Sequence, residues 1–278
     1  MQETWRDVAG DGGIRLRVRD VAGPRGAPSV LLHHGLASSQ RIWDLMLTDL
    51  ARTFRVATFD ARGHGRSAKP GSGFGFDHVV ADALAVSRSL RLGRPIFVGH
   101  SWGAMVGLEL AARHPRSVAG AVLVDGGVTS MRTSFATWRE AREALAPPHL
   151  AGMHIEEFRA LIHTFMGAAV PVTPELEAIV LSVMRVAPDG TIRPQLSRAS
   201  HFKVLRAIWE QDPVGLHARL RVPALAIVAH GSGDDGDAAW EQAKRAAAAA
   251  LRDARASTRV VWIESIHDVP LQHPAARS

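Results

Sequence analysis

The segment best suited to covalent chemistry in this chain is Gly99-His100-Ser101-Trp102-Gly103. A serine hydroxyl is a weak nucleophile until something exposes it, takes its proton and stabilises the charge it creates. The G-x-S-x-G spacing answers the first need, because glycines two positions to either side let the backbone bend sharply around the serine. Pro95 to Val98, just before, reads as a buried strand, and Trp102 to Arg113, just after, as a helix stopped by Pro115. A strand-turn-helix of this kind lifts the serine oxygen clear of the sheet. It also places that oxygen at a helix N-terminus, where unpaired N–H groups and the positive end of the dipole hold an oxyanion. The implied chemistry is attack on a carbonyl carbon.

With three further segments, the pentapeptide resembles the α/β-hydrolase family, in particular its cap-bearing serine esterase and lactonase-like members. His34-Gly35-Leu36 is similar to the family's H-G-x turn, which implies that the N–H of Leu36 joins that of Trp102 in the oxyanion hole. Asp60-Ala61-Arg62-Gly63-His64-Gly65-Arg66-Ser67 is similar to its D-x-R-G-H-G-x-S loop. His267, with Pro274 following, resembles the catalytic histidine segment, although Ile266 stands where the family usually has glycine. The resemblance covers residues 28–126 and 221–275 and implies a Ser-His-Asp triad with Ser101 as nucleophile and His267 as base.

Serine, acid and histidine follow one another in that chain order in the family, and two aspartates obey it. Asp125 ends a strand in Val124-Asp125-Gly126-Gly127, where the glycines permit a sharp turn beside the site. Asp234, in Gly231-Ser232-Gly233-Asp234, resembles the family's commoner acid after the next strand, with its loop displaced. Asp125 is favoured and Asp234 stays open. Asp60 precedes the serine and is expected to hold its own loop together, as are His34, His64 and His100.

The elements needed to position these residues are legible as alternating strands and helices, the mark of an α/β, mostly parallel sheet covered by helices on both faces. Trp5 to Val8 and Ile14 to Val18 form a hairpin across Gly10–Gly13. Further strands are expected at Val30–Leu32, Phe54–Phe59, Val118–Val124, Val222–Val228 and Arg259–Ile263. Helices are expected over Arg41–Ala51, Asp77–Leu92 with Asp77 as N-cap, and Ala238–Ala254. Between them the rhythm changes. Helices over Thr137–Leu145, Ile155–Met166, Pro174–Arg185 and Arg198–Glu210, with a turn at Pro188-Asp189-Gly190, read as an inserted helical cap. The expected division is an α/β-hydrolase core of residues 1–127 and 221–278 with a cap of residues 128–220. Of the cap's large apolar side chains, Phe135, Phe158, Met166 and Phe202 among them, most belong to its own core. Trp138, Phe165 and Trp209 are the candidates to line a pocket over Ser101.

Composition narrows the function classes. Cysteine is absent from the 278 residues, which removes disulfides and thiol catalysis and fits a cytoplasmic protein. The net charge of +6 raises a nucleic-acid partner. However, the arginines are scattered among acids, and no basic cluster with aromatics occurs, so none is expected. No apolar run is long enough to span a membrane, and no h-region suggests a signal peptide. Neither H-E-x-x-H nor an opening G-x-G-x-x-G is present, so no metal and no cofactor are expected. The partner is then a small-molecule substrate, on a monomer or homodimer. The expected activity is hydrolysis of a moderately hydrophobic ester, lactone or thioester. C–C bond hydrolysis, acyl transfer, lyase chemistry or a non-catalytic binding role are the alternatives on the same scaffold.

Overall fold

The computed structural model describes residues 2–231, 238–253 and 257–274. Its centre is an eight-stranded sheet built from β1 (Glu3–Ala9), β2 (Arg15–Val21), β3 (Ser29–His33), β4 (Arg55–Phe59), β5 (Ile96–His100), β6 (Gly120–Val124), β9 (Ala224–His230) and β10 (Thr258–Glu264). The spatial order is β1-β2-β4-β3-β5-β6-β9-β10. From β4 to β10 all neighbours are parallel, while β1 and β2 form an antiparallel hairpin at one edge. The fold is the one that the resemblance to the α/β-hydrolases implies.

Strand β3 shows why both faces are covered. Leu31 points into the larger core with Val79, Val80 and Ala83 of α2 (Phe76–Ser89) and Val106 and Leu108 of α3 (Trp102–Arg113). Val30 and Leu32 point the opposite way, toward Leu47 of α1 (Asp44–Leu50) and Trp43 just before it. Alternate residues of one strand thus seal two layers, as a period of two requires. The start of α2 differs from the expected cap. Gly75 is the N-cap and makes no side-chain capping bond, whereas Asp77 sits inside the first turn, paired with Arg113 at 2.5 Å. There its charge favours the helix dipole rather than a capping bond.

The segment between β6 and β9 carries α4 (Trp138–Ala144), α5 (Ile155–Met166), α6 (Pro174–Leu181), α7 (Arg198–Glu210) and α8 (Pro213–Ala218). It also contains a β-hairpin, β7 (Met184–Val186) against β8 (Ile192–Pro194), where the sequence pattern suggests a helix running to Arg185 and a turn leading to the next helix. The Pro188-Asp189-Gly190 turn therefore joins two strands, with Gly190 at φ 80°. Val183, Val186, Thr191 and Ile192 are β-branched and favour extended backbone once α6 has ended at Leu181. Buried Ile192 and Met184 then pack with Phe158 and Ile162 of α5. Short β7 and β8 leave too few residues for an alternation signal to outweigh the helical pattern around them. The last strand, β10, is preceded by α9 (Ala238–Asp253) and followed by α10 (Val269–Gln272).

Candidate active site

Ser101 sits between β5 and α3 with φ 53° and ψ −117°, a conformation costly for any side-chain-bearing residue. The neighbouring glycines make it possible. A Cβ on Gly99 would run into the Gly103 carbonyl, and one on Gly103 into the carbonyl of His33. The bend is tied to the next strand by the Ser101 N–H, which donates to the Val124 carbonyl at 2.8 Å. Trp102 is the first residue of α3, so its own N–H has no acceptor within the helix.

Three aspects of strand order and register assemble the rest. β6 pairs with β5 so that Val124 lies opposite His100. The residue after each, Asp125 and Ser101, therefore emerge side by side. Asp125 is also left-handed, at φ 43°, and only four non-glycine residues among those described have positive φ. Two of the four are thus Ser101 and Asp125, which concentrates backbone strain where the side chains converge. Finally, His267 follows β10 at the far edge of the sheet and reaches back over β9.

The result is a continuous chain of hydrogen bonds. The Ser101 hydroxyl lies 2.9 Å from His267 Nε2. His267 Nδ1–H donates to Asp125 Oδ2 at 2.6 Å. Asp125 Oδ1 accepts from the Ala229 N–H at 3.0 Å and from Lys244 Nζ at 2.8 Å. Desolvation works against charge on Asp125, but the His267 bond and the charges of His267 and Lys244 outweigh it and hold the pKa below the usual aspartate value. Around His267 the surrounding protein pulls the pKa down by desolvation. The bond to Asp125 and the charges of Asp125 and Asp268 prevail, leaving it above an ordinary histidine. The acid that the sequence leaves open at Asp234 lies outside the described residues.

The buried histidines brace this arrangement. His34 Nδ1–H donates to the Gly35 carbonyl at 2.7 Å, while its Nε2 accepts from the Ala61 N–H at 3.0 Å. His64 Nδ1–H donates to the Arg62 carbonyl at 2.9 Å and its Nε2 accepts from the Ala37 N–H at 3.2 Å. Each ring therefore uses one nitrogen as donor and one as acceptor, the neutral tautomer. Burial agrees, pushing His34 down to about 4 and His64 well below its usual value. Together they pin the turn that carries Leu36. His100 Nε2–H donates to the His267 carbonyl at 2.8 Å and so anchors the backbone of His267. Asp60 accepts from the Gln40 and Arg66 N–H groups at 2.9 Å and 2.8 Å and holds its loop, as expected.

Above Ser101 opens a cavity of about 480 Å³, lined by Leu36 and Trp102 and by Met105, Val128, Met131, Leu145, Leu205 and Ile208. Trp138, Phe165 and Trp209 are not among its lining residues. Trp138 and Trp209 pack against each other, tilted by 57° with ring centroids 6.4 Å apart, under the Arg206 guanidinium, and Phe165 is 76% exposed on α5. The pocket is walled instead by aliphatic residues of α7 and of the stretch after β6, together with Trp102 and Met105 of α3 and Trp240 of α9. Lys244 carries no motif and escapes a reading by motifs. Its signal is subtler: with Trp240, Ala248 and Leu251 it occupies one stripe of α9, and a lysine on the core face of an amphipathic helix calls for a partner. Among the described residues, no group of three His, Asp or Glu side chains is arranged to hold a metal ion.

Residues 28–205 match the alpha/beta hydrolase fold family. The chain belongs to that family. This α/β-hydrolase is 27% identical over 219 residues to a 2-(acetamidomethylene)succinate hydrolase of Mesorhizobium japonicum, covering 78% of this chain and 74% of the relative. It is 32% identical over 245 residues to a non-heme chloroperoxidase of Streptomyces lividans, with 83% and 84% covered. A bifunctional esterase/perhydrolase of Acinetobacter calcoaceticus is 42% identical over a shorter 104 residues, 37% of this chain and 38% of that one. Among solved structures, an enol-lactonase from Burkholderia xenovorans LB400 superimposes with a TM-score of 0.68 at 20% identity, covering 98% of this chain and 96% of the other. At that identity the likeness speaks to the fold alone. The α/β-hydrolase is accordingly a hydrolase-family protein whose relatives differ in the bond they act on.

Proposed function

We propose that this α/β-hydrolase is a serine hydrolase that cleaves carboxylic esters, lactones or thioesters with an uncharged, moderately apolar acyl group. The observation that carries this reading is the unbroken Ser101–His267–Asp125 hydrogen-bond chain at the floor of an aliphatic cavity. In the reaction, His267 Nε2 takes the Ser101 proton as the oxygen attacks the carbonyl carbon. Asp125 keeps Nδ1 protonated and stabilises the imidazolium. The N–H groups of Leu36 and Trp102 receive the oxyanion. The imidazolium passes its proton to the departing alcohol or thiol, which leaves an acyl-serine. Water, deprotonated by His267, then releases the acid and restores the hydroxyl. Residues 128–220 act as the cap that shapes the cavity and governs entry.

Two features support the choice of a neutral acyl group. The cavity's amine, Lys244, is already paired with Asp125. Its other nitrogen base besides His267 is His201, whose pKa burial lowers, so it enters as a neutral ring. A carboxylate in the substrate would therefore be desolvated without a free cation among the described lining residues to receive it. This argues against a dicarboxylate such as the succinate derivative named for the Mesorhizobium relative. That relative does favour a second reading, in which the bond cleaved is C–N. The experiment compares aryl esters of rising acyl length, matched amides and esters bearing an acyl carboxylate. Esters with neutral acyl groups are expected to give kcat/KM at least about 100-fold above carboxylate-bearing ones. Fluorophosphonate should label the native protein and not the Ser101→Ala protein. Undiminished ester hydrolysis by Ser101→Ala would refute the reading.

A further inference from the structure

Lys244 is an unusual neighbour for the acid of such a relay. Its side chain is 13% exposed and that of Asp125 only 1%, and the ion pair between them measures 2.8 Å. The ammonium also donates to the Ala229 carbonyl at 3.1 Å, while the Ala229 N–H donates to the same Asp125 oxygen at 3.0 Å. One residue of β9 is thus gripped through both its peptide groups by the acid and the lysine. The stripe of α9 that carries Lys244 is otherwise apolar, with Ala248 and Leu251 buried. An aliphatic residue would fill that position without the cost of removing an ammonium from water. A general structural role does not explain why the charge is directed to this one carboxylate.

We propose that Lys244 is a positioning residue of the active site, a second partner that shares Asp125 with His267 and so fixes both the orientation and the ionised state of the acid. The proposal rests on the serine-hydrolase reading above. Its geometric consequence is direct. Oδ1 is fully engaged by Ala229 and Lys244, so only Oδ2 faces His267, and the carboxylate cannot rotate away. Its electrostatic consequence follows from the groups that surround the imidazole. Asp125 from the end of β6 and Asp268 from its own loop favour the protonated ring. Lys244 from α9 opposes it, and His100 at the end of β5 is held neutral, its pKa pushed down to about 4. Lys244 therefore limits how far the two carboxylates raise the His267 pKa. Because the base must be neutral to accept the serine proton, this extends activity to lower pH.

The test separates charge from hydrogen bonding. Lys244→Met removes both, Lys244→Gln keeps a donor without charge, and Lys244→Arg keeps both. Two quantities are read on each protein: the acid limb of kcat/KM for a neutral ester, and the His267 titration followed by imidazole NMR, assigned by its loss in His267→Gln. The Met and Gln proteins are expected to shift both readings upward by about half a unit to one unit. Arg should restore the native values, and kcat should fall more for Met than for Gln. The NMR titration needs no turnover, so a folded but slow variant still answers the question. A native His267 titration in both Met and Gln proteins overturns the proposal, as does an Arg protein that behaves like Met. Failure of the underlying reading looks different: Ser101→Ala would stay active, whatever the Lys244 variants do.

Discussion

At the scale of single residues, the proposed nucleophile is legible because its chemistry dictates its neighbours. Glycines must flank Ser101, since a Cβ at either site meets backbone. The acid is less legible. Asp125 and Asp234 both follow a strand and precede the histidine, and the displaced loop of Asp234 is the one local difference in spacing between them. The observation that favours Asp125 is register, His100 opposite Val124, which appears only when β5 and β6 are paired. If Asp125 is the acid, Asp125→Asn should leave the fold intact and lower kcat on the order of 10⁴-fold, because the amide offers Nδ1–H no charged acceptor. Asp234→Asn should change kcat little. Steady-state kinetics on the two proteins, with circular dichroism to verify folding, provide the check. The aromatic candidates Trp138, Phe165 and Trp209 illustrate the limit of reading residue types alone. Size and hydrophobicity mark them as pocket walls, but helix rotation, set by packing with neighbours, decides which face meets the cavity.

At the scale of elements, most strands and helices of the core follow from periodicity, whereas the β7–β8 hairpin does not. It is too short to show an alternation, and its stability comes from side chains packed beneath it rather than from its own pattern. The loop from Asp60 to Ser67 shows the opposite case, a motif whose fold is dictated locally and then secured at a distance. Arg62, 3% exposed, forms a two-pronged ion pair with buried Asp82 of α2, with Nε at 2.7 Å and one terminal nitrogen at 2.8 Å. The remaining guanidinium donors reach the Gly73 and Asp11 carbonyls. Removing the carboxylate leaves a guanidinium in a space from which water is excluded. Asp82→Ala should therefore cost about 3–5 kcal/mol of stability, measured as a fall in the urea midpoint. A loss no larger than that of an ordinary surface substitution would contradict this account of how the loop is held.

At the scale of the whole molecule, the same buried histidines that brace the site govern behaviour in acid. Burial pushes His33 down to about 3, His34 and His100 to about 4, and His64 well below its usual value. In the unfolded chain each takes a proton near pH 6.5. Between that pH and the folded values the unfolded state binds more protons, so stability declines as pH falls, by about 1.4 kcal/mol per pH unit for each such ring. Burial also lowers His201 and His217, whereas His267 is raised and acts in the reverse sense, one ring against six. Urea melts taken from about pH 7.5 down to about pH 5 should show a steadily falling midpoint, and a flat profile would refute the neutral-ring description. The relay itself is unevenly founded. Ser101 and Asp125 stand on interior strands, while His267 hangs from β10, which has a single strand neighbour and closes the sheet. Margins of a sheet fray before its middle. On gentle warming, catalysis should accordingly fade some degrees ahead of the loss of ellipticity, and a bound acyl-enzyme mimic that immobilises the imidazole should bring the two transitions together.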